Sequence, residues 1–139
     1  MSAIYSTAAT TRGGREGHVE SADGIIALDL AIPSEMGGKG GATNPEQLFA
    51  AGYSACYGSA LQFLAQRQNL PLQDAAVTAT VGLATGQQGA MHLTASLDVV
   101  TTGLDQETAE ALAQAAHKVC PYSNALRGNV DVTLNVRAQ

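Results

Sequence analysis

Residues 44–60 read NPEQLFAAGYSACYGSA, and this stretch sets the frame of the fold. Asn44 can cap a helix, Pro45 suits the first helical position because its missing N–H has no partner to lose there, and Glu46 meets the positive end of the helix dipole. The helix so begun is predicted to run to about Asn69, where Leu70-Pro71 stops it. At ~1.5 Å per residue that is roughly 35 to 40 Å, long for a small domain. Ala50, Ala51, Gly52, Ser54, Ala55, Gly58, Ser59 and Ala60 leave hardly any bulky side chain around its middle. So bare a helix suits close packing by other backbones on all sides, which predicts a central, buried position. In the middle of the run sits one thiol, Cys56.

Working outward, alternation of period two marks the strands. In MHLTASLDVV, Met91, Leu93, Ala95, Leu97 and Val99 share one face; in AVTATVGLA the set is Val77, Ala79, Val81 and Leu83; in NVDVTLNVR it is Val130, Val132, Leu134 and Val136. Each is read as a half-buried antiparallel strand. Two more strands flank the Ala22-Asp23-Gly24 turn, and an earlier one covers about residues 3–11 before Gly13-Gly14 breaks it, which makes five or six in all. A second helix starts at Asp105, carries Ala109, Leu112, Ala116 and Val119 on one face, and ends near Cys120 because a residue before proline is steered away from helical geometry. A short helix begins at Pro121 and closes at Gly128.

The 139 residues fit a single domain, 1–139, with one core. Apolar residues make up 45% of the chain and charged ones only 14%. That balance describes a folded protein, part of whose surface a partner covers. A net charge of −5 and seven Lys and Arg residues scattered from Arg12 to Arg137 provide no basic patch, so nucleic acid is not expected as a partner. No run approaches the roughly 18 apolar residues of a membrane span, and MSAIYSTAATTRGG has neither a charged leader nor an apolar stretch. A cytoplasmic protein that does not engage membranes is expected. The glycine-rich GGKGGATN before the long helix lacks the spacing of a phosphate-binding loop.

Two cysteines, Cys56 and Cys120, are too few for a disulfide-stapled scaffold, and in a reducing compartment such a pair is reactive or metal-binding. Cys56 among alanines also fits a small buried hydrophobe, inert unless something positive lowers its pKa. Cys120 stands just before Pro121, at the N-cap of the short helix, where dipole and free amides favour a thiolate. His117 and Cys120 lie three apart on one helical face, so with Cys56 they would make a three-ligand set of catalytic-zinc type. No CxxC or HxxxH core supports it, and the other histidines, His18 and His92, fall on strands. Arg15, after two glycines in TRGGREGH, reads as a hairpin charge and Glu46 as a helix N-terminal charge. Paired, the two would present a guanidinium able to stabilise a thiolate.

The segments GGREGH, SADG, GGKGGATNPEQLFAAGYSAC and AAHKVCPYSNALRGNVDVTLNV, in that order, span most of the chain. They resemble the organic hydroperoxide resistance proteins of the OsmC-like superfamily. The resemblance implies an α+β fold in which antiparallel sheets wrap two long central helices in an intertwined homodimer. It implies a thiol peroxidase that reduces organic hydroperoxides to alcohols without cofactor or metal. Cys56 is then the attacking thiolate, Cys120 the residue that resolves its sulfenic acid to a disulfide, Arg15 the group that holds thiolate and peroxide, and Glu46 the anchor of Arg15. Phe49, Met36 and Tyr122 are the expected lining of an apolar substrate pocket. The reductant implied is a lipoylated protein or dihydrolipoamide. A different use of the same two thiols is a redox-sensing or ligand-binding dimer without turnover, and elsewhere the linking strands, ATGQQGAMH for instance, leave the substrate preference open.

Overall fold

The computed structural model describes all 139 residues. They form two compact units, Met1–Leu48 and Phe49–Gln139.

The first unit is a three-stranded antiparallel sheet of β1 (Ala9–Arg12), β2 (His18–Ser21) and β3 (Ala27–Asp29), in that order, followed by a glycine-rich loop and the first turn of α1 (Pro45–Arg67). β1 is shorter than the stretch 3–11 suggested, because β2 offers only four partners and the ladder ends with the pair Ala9 and Ser21. The β2–β3 turn is closed by Asp23, whose carboxylate accepts from the backbone N–H of Ile25 at 3.0 Å, and by Gly24 at φ 76°. The β1–β2 connection is a single turn of 3₁₀ helix, Gly14–Glu16. Gly13 and Gly14 are both left-handed there, at φ 82° and 57°, and a Cβ on Gly17 would fall 1.6 Å from the Arg12 carbonyl oxygen, so no other residue type fits the turn. Of the apolar side chains in this unit only Val19 and Leu30 are buried, while Ile25, Ile26 and Leu28 are exposed.

The second unit holds the core. β4 (Asp74–Thr85) and β5 (Met91–Thr102) form a long antiparallel hairpin, then α2 (Gln106–Val119) and α3 (Pro121–Leu126) lead into β6 (Val132–Ala138). The register pairs Leu83 with Leu93, Ala79 with Leu97 and Val77 with Val99, so the alternating apolar positions of both strands share the face that meets the helices. β6 runs parallel to β5, with Leu97 opposite Leu134 and Val99 opposite Val136. This corrects the reading of the last strand as antiparallel. Alternation reports which face is buried and not which way a strand runs; the α2–α3 crossover returns the chain to the same end of the sheet and imposes the parallel direction.

Asp105 caps α2, its carboxylate accepting from the Thr108 N–H at 2.8 Å. Gln106 ties this helix to the edge of β6, donating to the Val136 carbonyl at 2.9 Å and accepting from the Ala138 N–H at 2.8 Å. Ala109, Leu112, Ala113 and Ala116 are its buried side chains, and Val119, expected on that face, is exposed. α1 buries a single stripe, Tyr53, Tyr57, Leu61 and Ala65, one residue per turn. The small residues Ala51, Ala55 and Ser59 lie on an exposed face. Within the chain, then, α1 is covered on one side and not on all, because Tyr53, Tyr57 and Leu61 concentrate the bulk where β5 and α2 pack.

Candidate active site

In the first unit, the turn that needs its glycines projects Arg15 toward the start of α1. The guanidinium Nη1 donates to Glu46 Oε2 at 2.9 Å and Nη2 to Glu46 Oε1 at 2.6 Å, a bidentate fork. The pairing, chiefly through its hydrogen bonds, holds the Glu46 carboxyl below the usual range and raises Arg15 further above its own. Arg15 keeps about a third of its side chain exposed, with Glu46 more covered at 15%. Asn44 caps α1 through its side chain, accepting from the Gln47 N–H at 2.8 Å. Met36 also lies in this unit, in the 3₁₀ turn Ser34–Met36, with its side chain exposed.

In the second unit, two sulfurs 64 positions apart in the sequence come together. Cys120 Sγ lies 3.7 Å from Cys56 Sγ, both thiols free, Cys120 fully buried and Cys56 half-buried. Burial is the main influence on Cys56 and pushes its thiol up; the backbone N–H of Tyr122 acts in the opposite sense by favouring the thiolate, and the neighbouring Cys120 adds to the rise. Cys120 does occupy the N-cap of α3, as its place before Pro121 suggested, but its side chain makes no capping bond.

An aromatic cluster borders the pair. The Phe49 ring meets Tyr53 and Tyr122 edge-on, with centroids 6.2 and 6.0 Å apart, and Tyr53 stacks on Tyr122 at 6.0 Å. Gly52 makes this possible: a Cβ there would lie 3.0 Å from the Tyr122 hydroxyl and 3.2 Å from its ring. Tyr53 is fully buried, Phe49 half-buried and Tyr122 half-exposed, the outer member of the cluster.

His117 does not join the cysteines as a ligand. Its Nδ1 is 2.8 Å from the hydroxyl of Ser123, and no three His, Cys, Asp or Glu side chains converge to hold a metal ion. The same hydroxyl is 2.8 Å from that of Tyr53. Tyr53 and Ser123 were not singled out from the sequence, although Tyr53 stands three residues before Cys56, on the same side of the helix.

The comparisons with known proteins agree with one another. The model of the OsmC-like protein family matches residues 38–135. The chain belongs to this family, on its organic hydroperoxide resistance branch. It is 43% identical over 136 residues to the organic hydroperoxide resistance protein OhrB of Bacillus subtilis, covering 97% of this chain and 99% of that one. Among solved structures, it is similar to an organic hydroperoxide resistance protein of Legionella pneumophila, at 54% identity, 98% and 99% coverage and a TM-score of 0.94. Another, from Elizabethkingia anophelis with thiocyanate bound, covers both chains completely at 41% identity and a TM-score of 0.95. The fold is therefore the α+β fold of this family, and no helix in it is long and apolar enough to cross a membrane.

Proposed function

We propose that this chain is a thiol-dependent peroxidase that reduces organic hydroperoxides to alcohols, with residues 1–139 acting as one domain. The observation that carries the reading is the 3.7 Å approach of the two free sulfurs, one half-buried and one fully buried. A pair so close has to shorten its separation to about 2.05 Å to become a disulfide. In the first step the Cys56 thiolate attacks the outer peroxide oxygen, the O–O bond breaks, and the alkoxide takes up a proton to leave as alcohol. The sulfur, oxidised by two electrons, is then a sulfenic acid. In the second step the sulfur of Cys120 attacks that of Cys56; the S–OH bond breaks, water leaves, and a Cys56–Cys120 disulfide remains. A dithiol then returns both sulfurs to thiols and is itself oxidised to a disulfide. The reductant proposed is of the lipoyl type, dihydrolipoamide or a lipoylated protein.

Burial raises the Cys56 thiol, so its thiolate calls for a cation. Arg15, oriented by Glu46, is the residue assigned to that task and to holding the peroxide oxygens. Phe49 and Tyr122, joined by Met36, line the pocket in this reading, and aromatic walls suit alkyl, aryl and fatty acyl groups over hydrogen peroxide. The names borne by the relatives point to the same substrate class.

The working form is a homodimer in the cytoplasm. Its support is the apolar surface a single chain leaves open: Ile25, Ile26 and Leu28 in a sheet with almost no core of its own, and the small-residue face of α1 at Ala51, Ala55 and Ser59. A second copy would cover these, and a reducing compartment keeps both thiols free between turnovers.

The test is steady-state turnover of cumene or tert-butyl hydroperoxide by the pure protein with dihydrolipoamide, compared with thioredoxin and glutathione as donors. Continuous turnover with the dithiol is expected. A protein that oxidises once and stops would instead be a sensor.

A further inference from the structure

The two sulfurs are one rung of a short ladder, and a second rung lies beside it. Tyr53 precedes Cys56 by three residues on α1, on the same side of that helix, and His117, in the last turn of α2, precedes by three the residue that caps its C-terminus, Cys120. As the sulfurs meet across the gap, so do the other two side chains, through Ser123: its hydroxyl is 2.8 Å from Tyr53 Oη and 2.8 Å from His117 Nδ1. Tyr53 and Ser123 are buried. Ser123 sits in the first turn of α3, three residues after Cys120. One hydroxyl therefore joins three helices within a turn of both cysteines.

The hydrogen bonds have a consistent direction. Burial, with Arg127 nearby, lowers the pKa of His117 and favours the neutral imidazole, whose Nδ1 can accept from Ser123 while Ser123 accepts from Tyr53. Arg127 fastens the same junction from outside, donating to the His117 carbonyl at 2.6 Å and to the Asn124 side chain. The Cys120 backbone is thus held from both helices it joins. Its position cannot drift without stretching a bond to a buried hydroxyl, whose loss leaves polar atoms unpaired.

We infer that Ser123, clamped between Tyr53 and His117, is the positioning residue for the resolving step, holding Cys120 where its sulfur can reach that of Cys56. This rests on the reading of the two cysteines as a disulfide-forming pair. The step positioned is Cys56–SOH plus Cys120–SH giving the disulfide and water, with the thiol proton leaving in the water. Ser123 exchanges no atom with the sulfurs and acts only through geometry. Resolution competes with a second peroxide that takes the sulfenic acid on to sulfinic acid, so poor positioning appears as over-oxidation.

The experiment compares the wild type with Ser123→Ala, Ser123→Thr and Tyr53→Phe. After one equivalent of cumene hydroperoxide, rapid quenching and mass spectrometry read disulfide, trapped sulfenic acid and sulfinic acid at Cys56. In Ser123→Ala the rate of disulfide formation relative to that of peroxide consumption should fall about tenfold, the size expected for losing about 1.4 kcal/mol of positioning, with sulfinic acid accumulating. Ser123→Thr, which keeps the hydroxyl, should restore the ratio, and Tyr53→Phe should lower it less than Ser123→Ala. A merely structural role would lower the melting temperature and leave the ratio alone, and that result would overturn the inference. A second arm needs no peroxide: the dithiol–disulfide equilibrium in dithiothreitol buffers should shift toward the dithiol in Ser123→Ala, and a wild-type equilibrium would also overturn it. Should the wild type consume no peroxide, the peroxidase reading falls, and the buffer arm still decides the role of Ser123.

Discussion

Cys120 is fully buried and its sulfur lies 3.7 Å from that of the half-buried Cys56. The asymmetry is in keeping with the proposed order of events. In that proposal a bulky peroxide would reach the sulfur that has some exposure, and the buried one would react only once its partner is a sulfenic acid. Cys56→Ser should therefore abolish peroxide reduction, since a serine hydroxyl is scarcely ionised near neutral pH and attacks peroxide oxygen poorly. Cys120→Ser should complete one turnover and retain oxidised Cys56. Mass spectrometry of each variant after one equivalent of peroxide distinguishes them, and an unoxidised Cys56 in Cys120→Ser would reverse the assignment.

The role given to Arg15 makes a separate expectation. Burial is the main influence pushing the Cys56 thiol up, so if Arg15 offsets that penalty, Arg15→Ala should move the thiolate titration to higher pH. A midpoint one pH unit higher corresponds to about 1.4 kcal/mol of lost thiolate stabilisation. Glu46→Gln should move it less, because the guanidinium keeps its charge and loses one side of its fork. Thiolate absorbance against pH, in a Cys120→Ser background so that one sulfur titrates, measures both. A curve unmoved by Arg15→Ala would leave Arg15 as a hairpin charge.

Acid should release the same fork. Glu46 has a folded pKa held below its free value of about 4.3, mainly by the Arg15 hydrogen bonds. A carboxylate shifted in this direction contributes stability that is fully present above the unfolded pKa and is lost as the pH falls through the folded one. The stability gap between the wild type and Glu46→Gln should therefore stay level from neutral pH down to the ordinary carboxylate range and close below it. Urea unfolding at a series of pH values checks this, and a gap that persisted in acid would show that the pair is not its source.

Much of this architecture could be read locally. Asn44, Pro45 and Glu46 mark the start of α1 whatever surrounds them, Asp105 marks that of α2, and the alternation in β4 and β5 fixes their buried face. Strand direction was hidden, because Val132, Leu134 and Val136 alternate identically in a parallel or an antiparallel partner. The helix junction was legible in part, for a similar reason. The position of Cys120 before Pro121 does place it at an N-cap, yet whether its side chain caps α3 depends on how the sulfur packs, and it makes no capping bond. That packing is tertiary, and it sets the Cys120 sulfur 3.7 Å from that of Cys56. Ser123 escaped notice because a serine in the first turn of a helix is ordinary; only the arrival of Tyr53 and His117 from two other helices gives it a role.

Gly52 offers the last test, of the aromatic wall. It lies within α1, where glycine costs about 1 kcal/mol relative to alanine, so Gly52→Ala should gain helix stability unless the space is already taken. It is taken by the Tyr122 ring, whose nearest atoms would be 3.0 to 3.4 Å from the new Cβ. The ring must then give way by a few tenths of an ångström, and its stacking on Tyr53 and edge contact with Phe49 must loosen. Propensity and crowding act in opposite directions on stability, so the melting temperature should change little. In the proposed substrate pocket the loosened ring has no such compensation. KM for cumene hydroperoxide should rise about threefold, equivalent to about 0.7 kcal/mol of lost binding, with a smaller change in kcat, while the smaller tert-butyl hydroperoxide should be affected less. Equal kinetics for both peroxides in wild type and Gly52→Ala would mean that the Tyr122 ring does not contact the substrate, and would remove it from the pocket.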